Sequence, residues 1–251
     1  MIEFVGAGPG AVDLITVRGM KILQEADIII YAGSLVNPEI LKYADEKCRI
    51  YDSAKMNLPE IIEVMRSGEE AGLKVVRLHT GDPSLYGAIR EQMDELDKLG
   101  IEYELCPGVS AYQGAAAALK VEYTLPDISQ TVILSRASGR TEVPERENLK
   151  NLASIGATLV LYLSSSMGEK VQQELLEGGY PEDTPVAIVY KATWPEEKVI
   201  RSTLSEFAAR MEQEKINRTA LIIVGRVLDG EYSYSKLYDP GFTTGYRIGK
   251  S

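Results

Sequence analysis

Apolar positions along the chain follow two periods. Short apolar runs suited to buried strands occur at residues 2–5, 27–31, 74–78 and 101–105, with a weaker one at 49–51. Between them apolar residues recur at helical spacing. Thr16 is suited to cap a helix that buries Val17, Met20 and Leu23. Asn37-Pro38-Glu39 carries the cap, first-turn proline and first-turn acid of a helix start. Pro59 opens a helix with Ile61, Ile62, Val64 and Met65, and Ile89, Met93 and Leu96 stand at i, i+4 and i+7 of another. An alanine-rich helix is expected over 112–119. Alternation of strand and helix repeated this often predicts an α/β fold with a mostly parallel sheet.

Leu125-Pro126-Asp127 interrupts the alternation and reads as a linker. It predicts two α/β domains, residues 1–122 and 123–251. In the second, strands are expected at 131–134, 158–163, 186–190, 199–203 and 220–224. Helices are expected at 148–155, stopped by Gly156, and at 171–176. A last helix to residue 215 follows Thr203 and Glu206, which have capping-box spacing. The tail, 232–251, is too rich in Tyr and Phe to read as an idle linker.

The stretch Leu78-His79-Thr80-Gly81-Asp82-Pro83-Ser84-Leu85-Tyr86-Gly87 lies between an apolar strand and an amphipathic helix. In open α/β sheets the carboxyl edge of the strands is where ligands bind. Gly81 permits close approach or a positive φ, and Pro83 pushes Asp82 toward an extended conformation. Alone, Gly-Asp-Pro-Ser is an ordinary turn. It shares its predicted edge with four further loops, and together they favour a site. One of them, Gly6-Ala7-Gly8-Pro9-Gly10-Ala11, matches G-x-G-x-x-A spacing, so a dinucleotide site must be weighed. The helix starts too late to meet a pyrophosphate, Pro9 removes an amide, and the next strand ends in Tyr31-Ala32-Gly33 with no acid for a ribose. A tight glycine turn without a ligand remains the alternative.

Composition changes the picture in three ways. The formal charge of −10 argues against nucleic acid or an anionic membrane as the main partner. A local cluster such as Arg136 and Arg140 still suits an anionic small molecule. His79 is the sole histidine, so a Ser-His-Asp triad would have to use it, and no nucleophile elbow accompanies it. Cys48 and Cys106 lack metal-ligand spacing. With no basic leader and no run long enough to span a membrane, they read as free thiols in a cytoplasmic protein.

The ordered set Gly6-Ala7-Gly8-Pro9-Gly10, Gly81-Asp82-Pro83 and Pro107-Gly108-Val109-Ser110-Ala111 closely resembles the tetrapyrrole methylases, S-adenosylmethionine-dependent enzymes that build corrins and sirohaem. The likeness covers nearly the whole chain. Three further stretches, 31–36, 135–145 and 236–242, resemble the members that act at C11 of precorrin-4 or cobalt-precorrin-4 in cobalamin synthesis. The resemblance implies the class III fold of two α/β domains with the active cleft between them, a homodimer, no metal and an anionic tetrapyrrole substrate.

Carried over by position, the S-adenosylmethionine contacts would be Pro9, Thr80, Gly81, Asp82, Leu85, Ser110, Ala111, Leu163, Ala192 and Ala220. Leu163 and Ala220 also read as sheet core, and Ser110 as a helix cap. Arg136 and Arg140 would pair with substrate carboxylates. A solvated loop explains them equally well. No catalytic base is implied. Relatives that act on uroporphyrinogen III carry an Asp where Ala32 stands, a Met at Leu163 and a Gly at Ala192. Two rivals remain: a nucleotide-dependent oxidoreductase using the glycine loop, and a ligand-binding protein without turnover.

Overall fold

The structure is a computed structural model describing residues 1–33, 35–229 and 232–250. Ser34, within the stretch 31–36, and Ser251 of the tail lie outside the described residues. The chain forms two compact units: Met1–Ala115 with Lys191–Glu197, and Ala116–Tyr190 with Lys198–Ser251. The boundary expected at 122/123 thus meets a division at 115/116, and a short later segment joins the first unit.

The first unit is built on strands β1 (Ile2–Gly6), β2 (Ile28–Tyr31), β3 (Arg49–Asp52), β4 (Val75–His79) and β5 (Tyr103–Cys106). They form one parallel sheet in the order β3-β2-β4-β1-β5. All five residues of β4 are buried, as a central strand covered on both faces requires. The two-residue period sends neighbours to opposite faces. Val5 and Ile29 join one core cluster with Leu23, while Phe4, Ile28 and Ile30 join another with Met65 and Leu96.

Helices α1 (Val17–Glu25), α2 (Leu58–Glu70) and α3 (Arg90–Leu99) cover that sheet, and α4 (Ala111–Leu119) follows the turn after β5. Thr16 caps α1 through the Gly19 amide at 3.0 Å. Asn57 and Glu60 form a reciprocal capping box at the start of α2. Val17 is the exception to the expected pattern, 68% exposed. Gly19 and Leu23 form the buried stripe of α1, one turn apart, with Gly19 tight against Val5 and Ile15. Asn37-Pro38-Glu39 opens a 3-10 helix, Pro38–Tyr43, rather than an α-helix.

The second unit contains β6 (Val132–Arg136), β7 (Thr158–Tyr162), β8 (Pro185–Tyr190), β9 (Lys198–Thr203) and β10 (Ala220–Val224), ordered β6-β7-β10-β8-β9. Only β6 and β7 run parallel. Its core joins Leu159, Leu161 and Ile222 with helices α5 (Leu149–Ala153), α6 (Gly168–Glu177) and α7 (Phe207–Gln213) through Leu149, Leu175 and Phe207. The capping box expected at Thr203 and Glu206 does not form. Thr203 ends β9 with its hydroxyl on Ser205, and α7 starts at Phe207 without a side-chain cap. Among the described residues no helix is long and apolar enough to cross a membrane, and no acid, histidine and cysteine cluster could hold a metal. Both cysteines are free thiols.

Candidate functional site

In the first unit the strand order makes β4, β1 and β5 neighbours, so the turns leaving their carboxyl ends lie side by side. The turns touch through backbone. Gly8 and Gly81 form an isolated bridge, with amide-to-carbonyl distances of 3.2 and 2.8 Å, and Gly81 has φ +60°. A Cβ on Gly108 would fall 2.2 Å from the Gly81 carbonyl oxygen, and one on Gly6 would fall 2.6 Å from the Gly108 Cα. No side chain fits there, which explains glycine at these positions.

Asp82 ties two of these turns together. One carboxylate oxygen accepts from the Gly108 amide at 2.8 Å, and the other from the Ser84 amide at 2.9 Å and from the Ser84 hydroxyl. Burial works against its ionisation, but these hydrogen bonds outweigh burial and hold the carboxyl below its ordinary value. Thr80 and Leu85 are half-buried on the same turn. Farther along it, Tyr86 and Ala88 take φ +55° and +49°, strained for residues with a side chain. Ser110 is buried before α4, and Gln113 reaches back to its amide at 2.7 Å. A Cβ on Gly81 would stand 3.5 Å from both the Ser110 Cα and the Ala111 amide nitrogen. The structure therefore brings Thr80, Gly81, Asp82, Ser110 and Ala111 to one place.

Pro9 and Ala192 belong to the same unit. The segment Lys191–Glu197 lies on the glycine loop, with Ala192 buried. The Trp194 indole donates to the Pro9 carbonyl at 3.0 Å, and the Thr193 hydroxyl accepts from the Ala11 amide at 3.0 Å. Sequence reasoning passed over Thr193 and Trp194. The available signal was the single tryptophan of the chain, set next to a proline between two strands. These bonds also weaken the dinucleotide alternative. The Gly8 amide is bound by Gly81, the Ala11 amide by Thr193, and Pro9 has none to offer a phosphate.

His79, the last residue of β4, is 4% exposed and stacked near Phe4. Among the described residues its Nε2 has no hydrogen-bond partner. Burial, helped by Arg77, lowers its pKa to about 3, so it is neutral and unsuited to triad chemistry. Arg77 is buried as well, donating to Gln92 at 2.9 Å and to the Ile30 carbonyl at 3.1 Å. Burial alone lowers its pKa to about 10.

In the second unit, Arg136 ends β6 opposite Tyr162 of β7. Extending the antiparallel register of β7 and β10 sets Ala220 across from Leu163. Ala220 is buried, but Leu163 is not the core residue that its apolar strand suggested. It is 61% exposed at φ +51°, one residue past the strand. A leucine held in that conformation and facing solvent is the kind of strain that collects at functional turns. Arg136 donates to the carbonyls of Thr141 at 2.9 Å and Glu142 at 2.7 Å, so its guanidinium holds its own loop. Arg140 is exposed and, among the described residues, has no ion pair.

The turns that build this edge lie within residues 1–208, which match the family model for Tetrapyrrole (Corrin/Porphyrin) Methylases. The cobalt-precorrin-4 C(11)-methyltransferase of Methanocaldococcus jannaschii is 57% identical over 98% of this chain and 95% of its own length. A solved cobalt precorrin-4 methyltransferase superposes with a TM-score of 0.89 at 46% identity, covering 91% of this chain and 96% of that one. A uroporphyrin-III C-methyl transferase from Thermus thermophilus, solved with S-adenosyl homocysteine, superposes with a TM-score of 0.74 at 26% identity, covering 90% and 92%. Full-length identity of this order, over a fold with the same glycine turns, leaves one assignment: the chain belongs to the tetrapyrrole methylases.

Proposed function

We propose that this protein methylates C11 of precorrin-4, or of its cobalt complex, using S-adenosylmethionine. The observation that carries this is the 57% identity to a cobalt-precorrin-4 C(11)-methyltransferase over 98% of the chain, which takes in the three packed turns. The residues present fit the cofactor. The backbone contact of Gly6, Gly81 and Gly108 and the Asp82 carboxylate on the Gly108 amide fix the turns that would present polar backbone groups to it. In this reading the cofactor contacts carried over from the family are Pro9, Thr80, Gly81, Asp82, Leu85, Ser110, Ala111, Leu163, Ala192 and Ala220.

When bound, the cofactor supplies an electrophilic methyl on a sulfonium, so the protein needs to orient the partners and exclude water. Asp82 is not a free base, because its oxygens are held by Gly108 and Ser84. It keeps the turn in shape. His79 is buried and neutral, so it accepts no proton near neutral pH. An enamine-like acceptor carbon is nucleophilic without either. Arg140 is the anchor for a substrate carboxylate, supported by its exposure, and Arg136 keeps that loop folded. A cytoplasmic homodimer belongs to the same proposal. The charge of −10 supports a small-molecule partner over nucleic acid.

The test is incubation with S-adenosylmethionine and precorrin-4, in metal-free and cobalt forms. Mass spectrometry and NMR should find one new methyl at C11 in one of them. A methyl at another carbon, or none on either substrate, would reject the proposal. Calorimetry should show S-adenosylhomocysteine binding and no NAD binding, and light scattering should show a dimer.

A further inference from the structure

The loop 8–11 is held from outside by side chains at several backbone groups. Trp194 Nε1 donates to the Pro9 oxygen at 3.0 Å, Asn37 donates to the Gly10 oxygen at 2.8 Å, and Thr193 Oγ1 accepts from the Ala11 amide at 3.0 Å. The indole also occupies the space a side chain at residue 10 would need. A Cβ on Gly10 would fall 2.0 Å from Trp194 Cδ1. From the other side, a Cβ on Gly114 would meet Thr193 Cγ2 at 3.0 Å and Pro9 Cβ at 3.1 Å. Gly114 therefore faces both Pro9 and Thr193.

The segment carrying Thr193 and Trp194 is shaped for this contact. Lys191 and Thr193 take φ +47° and +69°, conformations that non-glycine residues keep only when their surroundings enforce them. Glu197 accepts from the Thr193 amide at 2.6 Å, and the Trp194 amide donates to the Lys191 carbonyl at 3.0 Å. The Lys191 ammonium stands 4.8 Å from the centre of the indole ring. A plain strand connection would need neither the two strained residues nor a half-buried indole.

We infer that Thr193 and Trp194 are positioning residues that clamp the loop 8–11 in the conformation that accepts the cofactor, acting through Pro9 and Ala11. This rests on the proposed S-adenosylmethionine reading. In the sequence the pair follows Ala192, a cofactor position carried over from the family, yet the clamp itself emerges only from the geometry.

The test uses the full-length protein, S-adenosylhomocysteine as the probe, calorimetry for affinity, and thermal melting for stability. Thr193→Val removes the acceptor and Thr193→Ser keeps it, while Trp194→Phe keeps a ring and removes the donor. Loss of one hydrogen bond predicts a roughly 2- to 10-fold weaker affinity for Thr193→Val and for Trp194→Phe. Thr193→Ser should restore wild-type affinity, with melting temperatures unchanged across the set. The emission of the single tryptophan should shift when the probe binds, and Thr193→Val should reduce that shift. Wild-type affinity in both Thr193→Val and Trp194→Phe would overturn the clamp and leave the cofactor reading intact. An affinity loss that tracks a fall in melting temperature, or that serine does not restore, would also overturn it. Absence of binding by the unmodified protein would sink the cofactor reading itself, and the clamp with it.

Discussion

His79 and Asp82 stand three residues apart and respond to acid by different routes. His79 is the sole histidine, so between about pH 5 and 6.5 no other side-chain type of ordinary pKa titrates. Its pKa falls from 6.5 to about 3 on folding. Between those values the unfolded chain binds a proton that the folded chain refuses, so stability decreases as pH falls. The slope from this one residue is about 1.4 kcal/mol per pH unit at most. Urea titrations from pH 7 to 5 should show that decline, and His79→Leu should flatten it. Asp82 acts at lower pH. Its carboxyl is depressed below 3.8, so its contribution is present above that value and lost as pH drops through the folded pKa. Asp82→Ala frees the Gly108 amide and removes a charge-assisted bond between two turns. S-adenosylhomocysteine affinity should fall roughly tenfold or more by calorimetry. Unchanged affinity would reduce Asp82 to a local turn residue.

At the scale of elements, the strand-end turns separate two uses of glycine. Gly81 needs its positive φ but has room for a methyl group, whose nearest neighbours are 3.5 Å away. Gly108 has no room, with a carbonyl oxygen 2.2 Å from where the Cβ would stand. Gly81→Ala should therefore cost about 1–2 kcal/mol from backbone strain. Gly108→Ala should cost about 3 kcal/mol or more, because backbone must move. Urea denaturation of the two variants checks the order, and equal losses would contradict the packing described. Leu163 presents the converse case, an exposed side chain on a backbone suited to glycine. Leu163→Gly should keep or slightly raise stability while weakening S-adenosylhomocysteine binding. If stability falls and binding is untouched, Leu163 serves the fold and not the ligand.

At the scale of the whole molecule, each unit has its own apolar core, and none of the described tail residues belongs to those clusters. Tyr234, Tyr238, Tyr246 and Ile248 are all exposed. The tail is organised by local bonds, with Arg247 donating to the carbonyls of Leu237 at 2.8 Å and Asp239 at 2.7 Å. Removing residues 232–251 should therefore shift the melting temperature by no more than about 2 °C. A larger drop would reveal packing on the body of the protein. A dimer seen by light scattering before truncation and lost after it would assign the tail to assembly.

The alternation of strands and helices, the α/β class and the turns at strand ends were legible in the sequence, because burial period and turn chemistry are local properties. Thr16 as a cap and Gly81 at positive φ follow from residue type and immediate neighbours. The family resemblance was legible for a related reason: backbone contact admits only glycine at Gly6 and Gly108 and a positive φ favours it at Gly81, so these glycines stand out in the chain before their contact is known. Tertiary structure alone decided which strands are neighbours, and hence that the turns at 8, 81 and 108 touch. It also decided that the second sheet is mixed, since strand direction depends on how connections return, not on apolar pattern. Burial of Val17, and the core alternative for Leu163, failed because an apolar residue at the edge of a periodic run looks the same whether it faces core or solvent. Trp194 on Pro9 joins residues 185 positions apart. No local signal encodes such a contact, which exists only because the folded chain brings Lys191–Glu197 onto the glycine loop.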